Sequence, residues 1–169
     1  MRSMNQRRVL DLAAAITAFA FFAASIARAD ETMSIHVVTH ATSAQFQEVG
    51  DVDGHALGLA RQSGLALFAD GSVGTTYFTA TNDYTKGAGT YIAYYNLTLK
   101  DGSVLWFKVT GSAKPDDTTT IFPEAPVSVL RGTGRFEGVK GDGTFKGQRV
   151  TPLAVGADLY ADIIINLRK

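Results

Sequence analysis

The feature that most limits how this chain can fold is a series of segments in which apolar side chains recur at every second residue, joined by Asp-Gly pairs. Asp70-Gly71 and Asp101-Gly102 each separate two such segments. That dipeptide supplies the left-handed backbone of a two-residue hairpin, so it joins antiparallel strands. Thr90 to Leu99 carries Tyr91, Ala93, Tyr95, Leu97 and Leu99 on one face. Ser103 to Ser112 answers across the turn with Leu105, Phe107 and Val109, while Trp106 and Lys108 point the other way. Ala157 to Leu167 repeats the period with Leu159, Ala161, Ile163, Ile165 and Leu167.

The remaining segments are of the same kind. Thr32 to Ala41 is rich in β-branched residues, and Gln45 to Val49 continues it or starts a short strand of its own. Asp51-Val52-Asp53-Gly54 is a turn. His55 to Phe68 places Leu57, Leu59, Leu65 and Leu67 at alternating positions, with a bend expected at Ser63-Gly64. A helix is the rival reading there; Gly58, Gly64 and the period of two oppose it. In Ser72 to Asn82, Val73, Thr75, Tyr77 and Thr79 share one face, read as the interior, and Thr76 and Phe78 share the other. Asn82 to Gly89 reads as a polar loop. Lys114 to Pro126, with Pro115, Pro123 and Pro126, reads as the longest loop and the mouth of the domain. A strand from Thr144 to Val150 brings the number to about eight. Sequential antiparallel strands without an amphipathic helix form a barrel or a sandwich, and long uninterrupted strands favour the barrel, which has no unpaired edges.

Between Val127 and Val150 the glycines at 132, 134, 138, 141 and 143 crowd around Phe136, Val139 and Phe145. Aromatic anchors among glycines indicate an ordered, folded-back connection rather than a flexible linker. Gly132, Gly134, Phe136, Gly138 and Gly141 are therefore read as a structural turn. A phosphate cradle would need a following helix and a Lys-Ser/Thr pair, and neither is present.

The run Leu130-Arg131-Gly132-Thr133-Gly134-Arg135-Phe136, followed by Gly138 and Gly141, resembles the Gly-Thr-Gly-Arg-Phe segment of plant dirigent proteins and the matching glycine-rich turn of allene oxide cyclases. Gly64 to Gly71 is similar to a hairpin of bacterial barrels of the allene-oxide-cyclase-like kind. Arg131 departs from the pattern, standing where these families usually have glycine. The resemblance implies an all-β, eight-stranded antiparallel barrel with an apolar cavity. It implies action on small hydrophobic molecules, by cyclisation or by guiding radical coupling, and association through outer barrel faces. No catalytic residue of either family matches a position here, so none is carried over.

Residues 1–29 read as a secretory signal peptide. Arg2, Arg7 and Arg8 precede an uncharged apolar run from Leu12 to Ala27, and Ala27-Arg28-Ala29 is a small-x-small cleavage site. An uncleaved anchor would need about 20 spanning residues. Arg7-Arg8 is a poor match to a twin-arginine signal in its surroundings, so ordinary export to the periplasm or medium is expected, with no membrane span after cleavage. Residues 30–169 then form a single domain. Its 12 basic and 15 acidic residues give a net charge of −3. No basic stripe is present to displace phosphate counterions, so a nucleic-acid partner is not expected. The chain has no cysteine, which excludes disulfides, thiol chemistry and zinc–thiolate sites.

No metal and no cofactor is expected. His36 and His40 share a strand face about 13 Å apart, too far to chelate one ion. No nucleophile motif occurs. Glu48, Asp83 and Glu124 lie near expected strand ends, where a desolvated carboxylate could act as a general acid. The more informative group is Tyr77, Tyr91, Tyr95 and Phe107. If these line the interior they form an apolar pocket with a few hydroxyls, suited to a small hydrophobic molecule. If the barrel is filled, they are core. Phe78, Tyr94 and Trp106 then form an outer aromatic band suited to a homo-oligomer, a dimer or trimer. Two functions follow. One is an exported barrel that binds a small hydrophobic molecule, with cofactor-free cyclisation or isomerisation left open. The other is a non-catalytic barrel with a filled core that acts through its outer surface.

Overall fold

A computed structural model describes residues 30–150 and 153–169; the signal-peptide reading falls outside the described residues. Eight strands follow in order: β1 (Glu31–Glu48), β2 (His55–Phe68), β3 (Val73–Thr85), β4 (Ala88–Thr98), β5 (Val104–Asp116), β6 (Thr119–Gly132), β7 (Lys140–Arg149) and β8 (Asp158–Arg168). Each pairs antiparallel with the next, and β8 pairs with β1, so the sheet closes into a barrel. Ile35, Val37, Leu97, Leu105, Phe107, Val109, Ile163 and Ile165 are buried inside it. Full burial of each such side chain stabilises the fold by about 1.5–3 kcal/mol.

The inward faces of β4, β5 and β8 are those the alternation specifies. On β3 the face is reversed. Tyr77 is 42 % exposed on the outside, whereas Phe78 is buried. Both faces of β3 carry threonines and an aromatic ring, so the period of two is clear but the side is not. Pairing decides it: Phe78 lies between Gln62 and Tyr95, with its ring centroid 4.5 Å from that of Tyr95. On β2 the alternating leucines 57, 59, 65 and 67 point outward. Its inward positions are small: Ala56, Gly58, Ala60, Gly64 and Ala66, with Gln62 among them. The irregularity expected at Ser63-Gly64 lies instead on the partner strand, where the register shifts between Ala41 and Ser43.

The expected loop from Lys114 to Pro126 is a hairpin, with only Asp117 and Thr118 between β5 and β6. Its prolines fall in or beside register shifts at Val109/Lys114 and Phe122/Ala125, where a missing N–H is tolerated. The expected loop 82–89 contracts to Lys86-Gly87 in the same way, and β7 begins at Lys140 rather than Thr144.

The glycine-rich stretch crosses one end of the barrel. A 3₁₀ turn over Gly134–Phe136 drops Phe136 into the end of the core, 1 % exposed. Gly134 has φ +60°, and a Cβ there would stand 2.4 Å from Ser103 Oγ. That oxygen accepts a hydrogen bond from the Arg135 N–H at 3.0 Å, and the Thr133 N–H donates to the Val104 carbonyl at 2.8 Å. Gly132 lets the Phe136 backbone pass close by, since a Cβ would meet Phe136 O at 2.3 Å. Gly138 also takes a positive φ beyond the turn. Gly141 belongs to β7 rather than to the turn.

Candidate functional site

The opposite end of the barrel is bordered by Tyr84, Arg149 and Leu153. The turns 49–54, 86–87 and 117–118 gather there with segment 153–157 around a cleft of about 670 Å³. Phe46, Ala56, Tyr84, Pro115, Thr120, Arg149 and Leu153 line it. Tyr84, Arg149 and Leu153 also line a smaller cavity of about 30 Å³ directly inside. The rest of the interior is filled.

The small cavity follows from register. Ala60, Ala80 and Ala93 lie side by side across β2 to β4, one small residue in each strand, and all three line the cavity. Their missing volume leaves a gap above the rings of Phe78 and Tyr95. Phe122, Phe145 and Leu159 close it from the far wall. The neighbouring row toward the mouth runs Phe46, Gly58, Asn82, Tyr91, Gly111. Its glycines seat the aromatic rings: a Cβ on Gly58 would meet the Phe46 ring at 2.3 Å, and one on Gly111 would meet Tyr91 Oη at 2.6 Å.

Six polar residues line this cavity from nearly complete burial: Gln62 and Tyr95 at 2 %, Arg149 at 4 %, Asn82 and Tyr84 at 5 % and Tyr91 at 6 % exposure. Arg149 Nη2 donates to Thr120 Oγ1 at 2.8 Å, and its guanidinium also bonds the Tyr84 hydroxyl. Asn82 Nδ2 and Tyr91 Oη make no hydrogen bond among the described residues. An unsatisfied buried polar group costs about 1–3 kcal/mol, so two of them on residues that line one cavity point to something that occupies it. A third such atom, Thr76 Oγ1, does not line the cavity. Burial pushes the Tyr84 hydroxyl up to about 12 against the opposing pull of Arg149, and raises Tyr91 and Tyr95 further. All three therefore stay protonated at ordinary pH. Burial lowers Arg149 from its usual value, and a guanidinium remains charged in proteins.

Of the residues singled out in the sequence, Tyr91 and Tyr95 line the cavity, Phe107 stacks on Tyr95 at 4.9 Å between ring centroids, and Tyr77 lies outside the barrel. Tyr94 is exposed on the outer face, and Trp106 is half-buried beneath the Arg131 guanidinium. Glu48, Asp83 and Glu124 are exposed and do not line the cavity. His36 and His40 pair on the outside with Asp162 and Asp158. His55 bridges Asp51 (2.6 Å) and Asp83 (2.9 Å), tying the β1–β2 turn to β3 at the open end. Those two hydrogen bonds, Asp51 first, raise its pKa above 6.5. Asn82, Tyr84 and Arg149 were not singled out. Arg149 shares parity with Phe145, and Asn82 with Phe78, so both become visible once the inward face is known.

No protein-family model matches the chain, and no curated protein matches it. Among solved structures it is similar to the pterocarpan synthase dirigent protein GePTS1, with 12 % identity, a TM-score of 0.46, and 83 % of this chain and 90 % of that one covered. The pterocarpan synthase dirigent protein PsPTS1 gives 16 % identity, a TM-score of 0.45, and 82 % and 97 % coverage. Pyocyanin demethylase gives 11 %, 0.39, 79 % and 99 %. In architecture the chain is a closed eight-stranded antiparallel barrel.

Proposed function

We propose that this protein binds a small, largely apolar molecule at the open end of its barrel. The observation that carries this reading is the pair of unpartnered buried groups, Asn82 Nδ2 and Tyr91 Oη, on residues that line a small cavity beside an outer cleft, with Tyr84, Arg149 and Leu153 common to both. Aromatic and aliphatic walls with a few convergent polar groups are the ordinary make-up of a small-molecule site. A molecule turned over there would undergo a cofactor-free cyclisation or isomerisation, held in one conformer by the walls. The proposed setting is outside the cytoplasm after loss of residues 1–29, which N-terminal sequencing of the exported protein tests.

Native mass spectrometry of gently purified protein, alone and with a panel of small aromatics, tests binding. Ala93→Leu fills the cavity from a buried strand position. The wild type is expected to hold an adduct that Ala93→Leu loses while remaining folded. Equal binding by both proteins would place the ligand elsewhere.

One observation favours a surface role as well. Val38 pairs with Leu65 on the outside of β1 and β2, and with Leu67 next along β2 and Tyr77 on β3 they form an exposed apolar area, from which Arg61 and Ser63 separate Leu57 and Leu59. Contiguous exposed apolar surface of this kind marks an interface. Self-association as a dimer or trimer through this face is the proposed use. Light scattering on Leu65→Asp is expected to show a smaller particle than the wild type; an unchanged mass would remove this face from the interface.

A further inference from the structure

Resting on the proposed binding site, we infer the chemical class of its ligand: a flat apolar molecule that carries one anionic oxygen group, a carboxylate or phenolate, and inserts that group first. The sign of the inner wall is the main reason. Among the side chains lining the small cavity, Arg149 is the only charged one, and no Asp or Glu is present to favour a cation. Of the acidic residues at this end, Asp116 and Asp117 line only the outer cleft, and Asp51, Asp53 and Asp83 line neither space. A ligand entering head-first therefore passes Asp116 and Asp117 and meets a positive charge.

The unpartnered groups agree with this sign. Asn82 Nδ2 carries two N–H donors, and the protonated Tyr91 hydroxyl carries one. Together with the guanidinium they form a wall rich in donors, whose natural partner is an acceptor. A hydrogen bond to an ionised acceptor is about twice as strong as a neutral one. Size agrees as well. A volume of about 30 Å³ holds roughly two water-sized groups, matching the two oxygens of a carboxylate but not an aromatic ring. The body of the ligand must then lie in the outer cleft, where Phe46, Ala56, Pro115 and Leu153 offer apolar surface.

The alternative occupant is water, which would satisfy Asn82 and Tyr91 and leave no preference among ligands. Calorimetric titration separates these cases. The probes are 2-naphthoate, its neutral counterpart 2-naphthamide, and 2-naphthol titrated above and below its own ionisation. The expected result is that naphthoate binds about tenfold or more tightly than naphthamide, the margin of a charge-assisted hydrogen bond. Arg149→Met should remove that preference, Arg149→Lys should retain much of it, and Tyr91→Phe should weaken naphthoate severalfold with little effect on naphthamide. Should Arg149→Met fail to fold, the wild-type comparison of acid and amide still decides the matter. Equal affinity for acid and amide overturns the anionic class while the binding site stands. Failure of every probe to bind at millimolar concentration overturns both. Tighter binding of ionised than of neutral naphthol, with no preference for naphthoate, narrows the class to phenolates.

Discussion

The two ends of the barrel solve the same problem in opposite ways. At one end the glycine-rich turn seats Phe136 in the core, and several nearby polar groups are matched, although Thr76 Oγ1, in the row Thr76–Leu97–Leu105–Gly132, has no partner among the described residues. The Asp70 and Asp101 carboxylates each accept the N–H of a residue two further on, Ser72 and Ser103, at 2.9 Å, and Arg135 reaches Glu31 at 3.5 Å. A groove of about 430 Å³ lies outside this end, but none of the unpartnered buried side-chain atoms lines it. At the other end Tyr84, Arg149 and Leu153 border both the inner cavity and the outer cleft. Three alanines border a gap, an arginine is buried beside it, and an amide and a hydroxyl on residues lining it have no partner among the described residues. The first end is arranged for stability. The second gives up stability in a pattern that a ligand would repair, which is where functional sites are expected to break the rules of good packing.

Substitutions should therefore have opposite signs at the two ends. The largest effect is expected from Phe136→Ala, a loss of about 3–5 kcal/mol in urea unfolding, typical of a fully buried aromatic. Ligand affinity of the folded fraction should change little; a loss below 1 kcal/mol would mean that the turn is not the plug. Next is Gly134→Ala, for which the left-handed backbone alone costs about 1–2 kcal/mol, with the contact to Ser103 added. Wild-type stability in this variant would show that the turn can be rebuilt.

At the open end Tyr91→Phe should do the reverse. Removing a buried hydroxyl that has no partner should leave stability unchanged or raise it by up to about 1 kcal/mol, while binding weakens. A clear destabilisation would mean that the hydroxyl is well bonded, for example to a resident water. The smallest effect concerns pH. His55 has a raised pKa in the folded state, so its hold on Asp51 and Asp83 is complete below about 6.5 and is lost as pH rises through the raised value. Amide exchange at Val49, whose N–H bonds the His55 carbonyl at 3.0 Å, should speed up across that range and lose this pH dependence in His55→Gln. Exchange at Phe136, at the far end, should not follow it.

The sequence made the barrel legible because alternation and turn chemistry are local. Leu105, Phe107 and Val109 across from Leu97, Tyr95 and Ala93 can be paired by counting outward from Asp101-Gly102. The side of a strand is not local where both faces are mixed. Tyr77 and Phe78 are equally plausible inward residues until Tyr95 and Gln62 are known to flank Phe78. On β2 the larger residues lie outside because the inward side borders a cavity and the Phe46 ring, so hydrophobicity pointed the wrong way. The cavity itself is an absence spread over Ala60, Ala80 and Ala93, three residues on three successive strands. No single stretch announces it. Arg149 was hidden for a related reason, since a lone arginine at a strand end normally points to solvent.

The most direct test of the open end as a binding site is a crystal structure of the protein soaked in 2-naphthoate. Density for the ring is expected in the cleft between Phe46 and Leu153, with an oxygen in hydrogen-bond reach of Tyr91 Oη or Asn82 Nδ2 and the charge toward Arg149. An empty cleft, with ordered waters alone bonded to Asn82 and Tyr91, would contradict it and return the barrel to the role of a filled core with a working outer face.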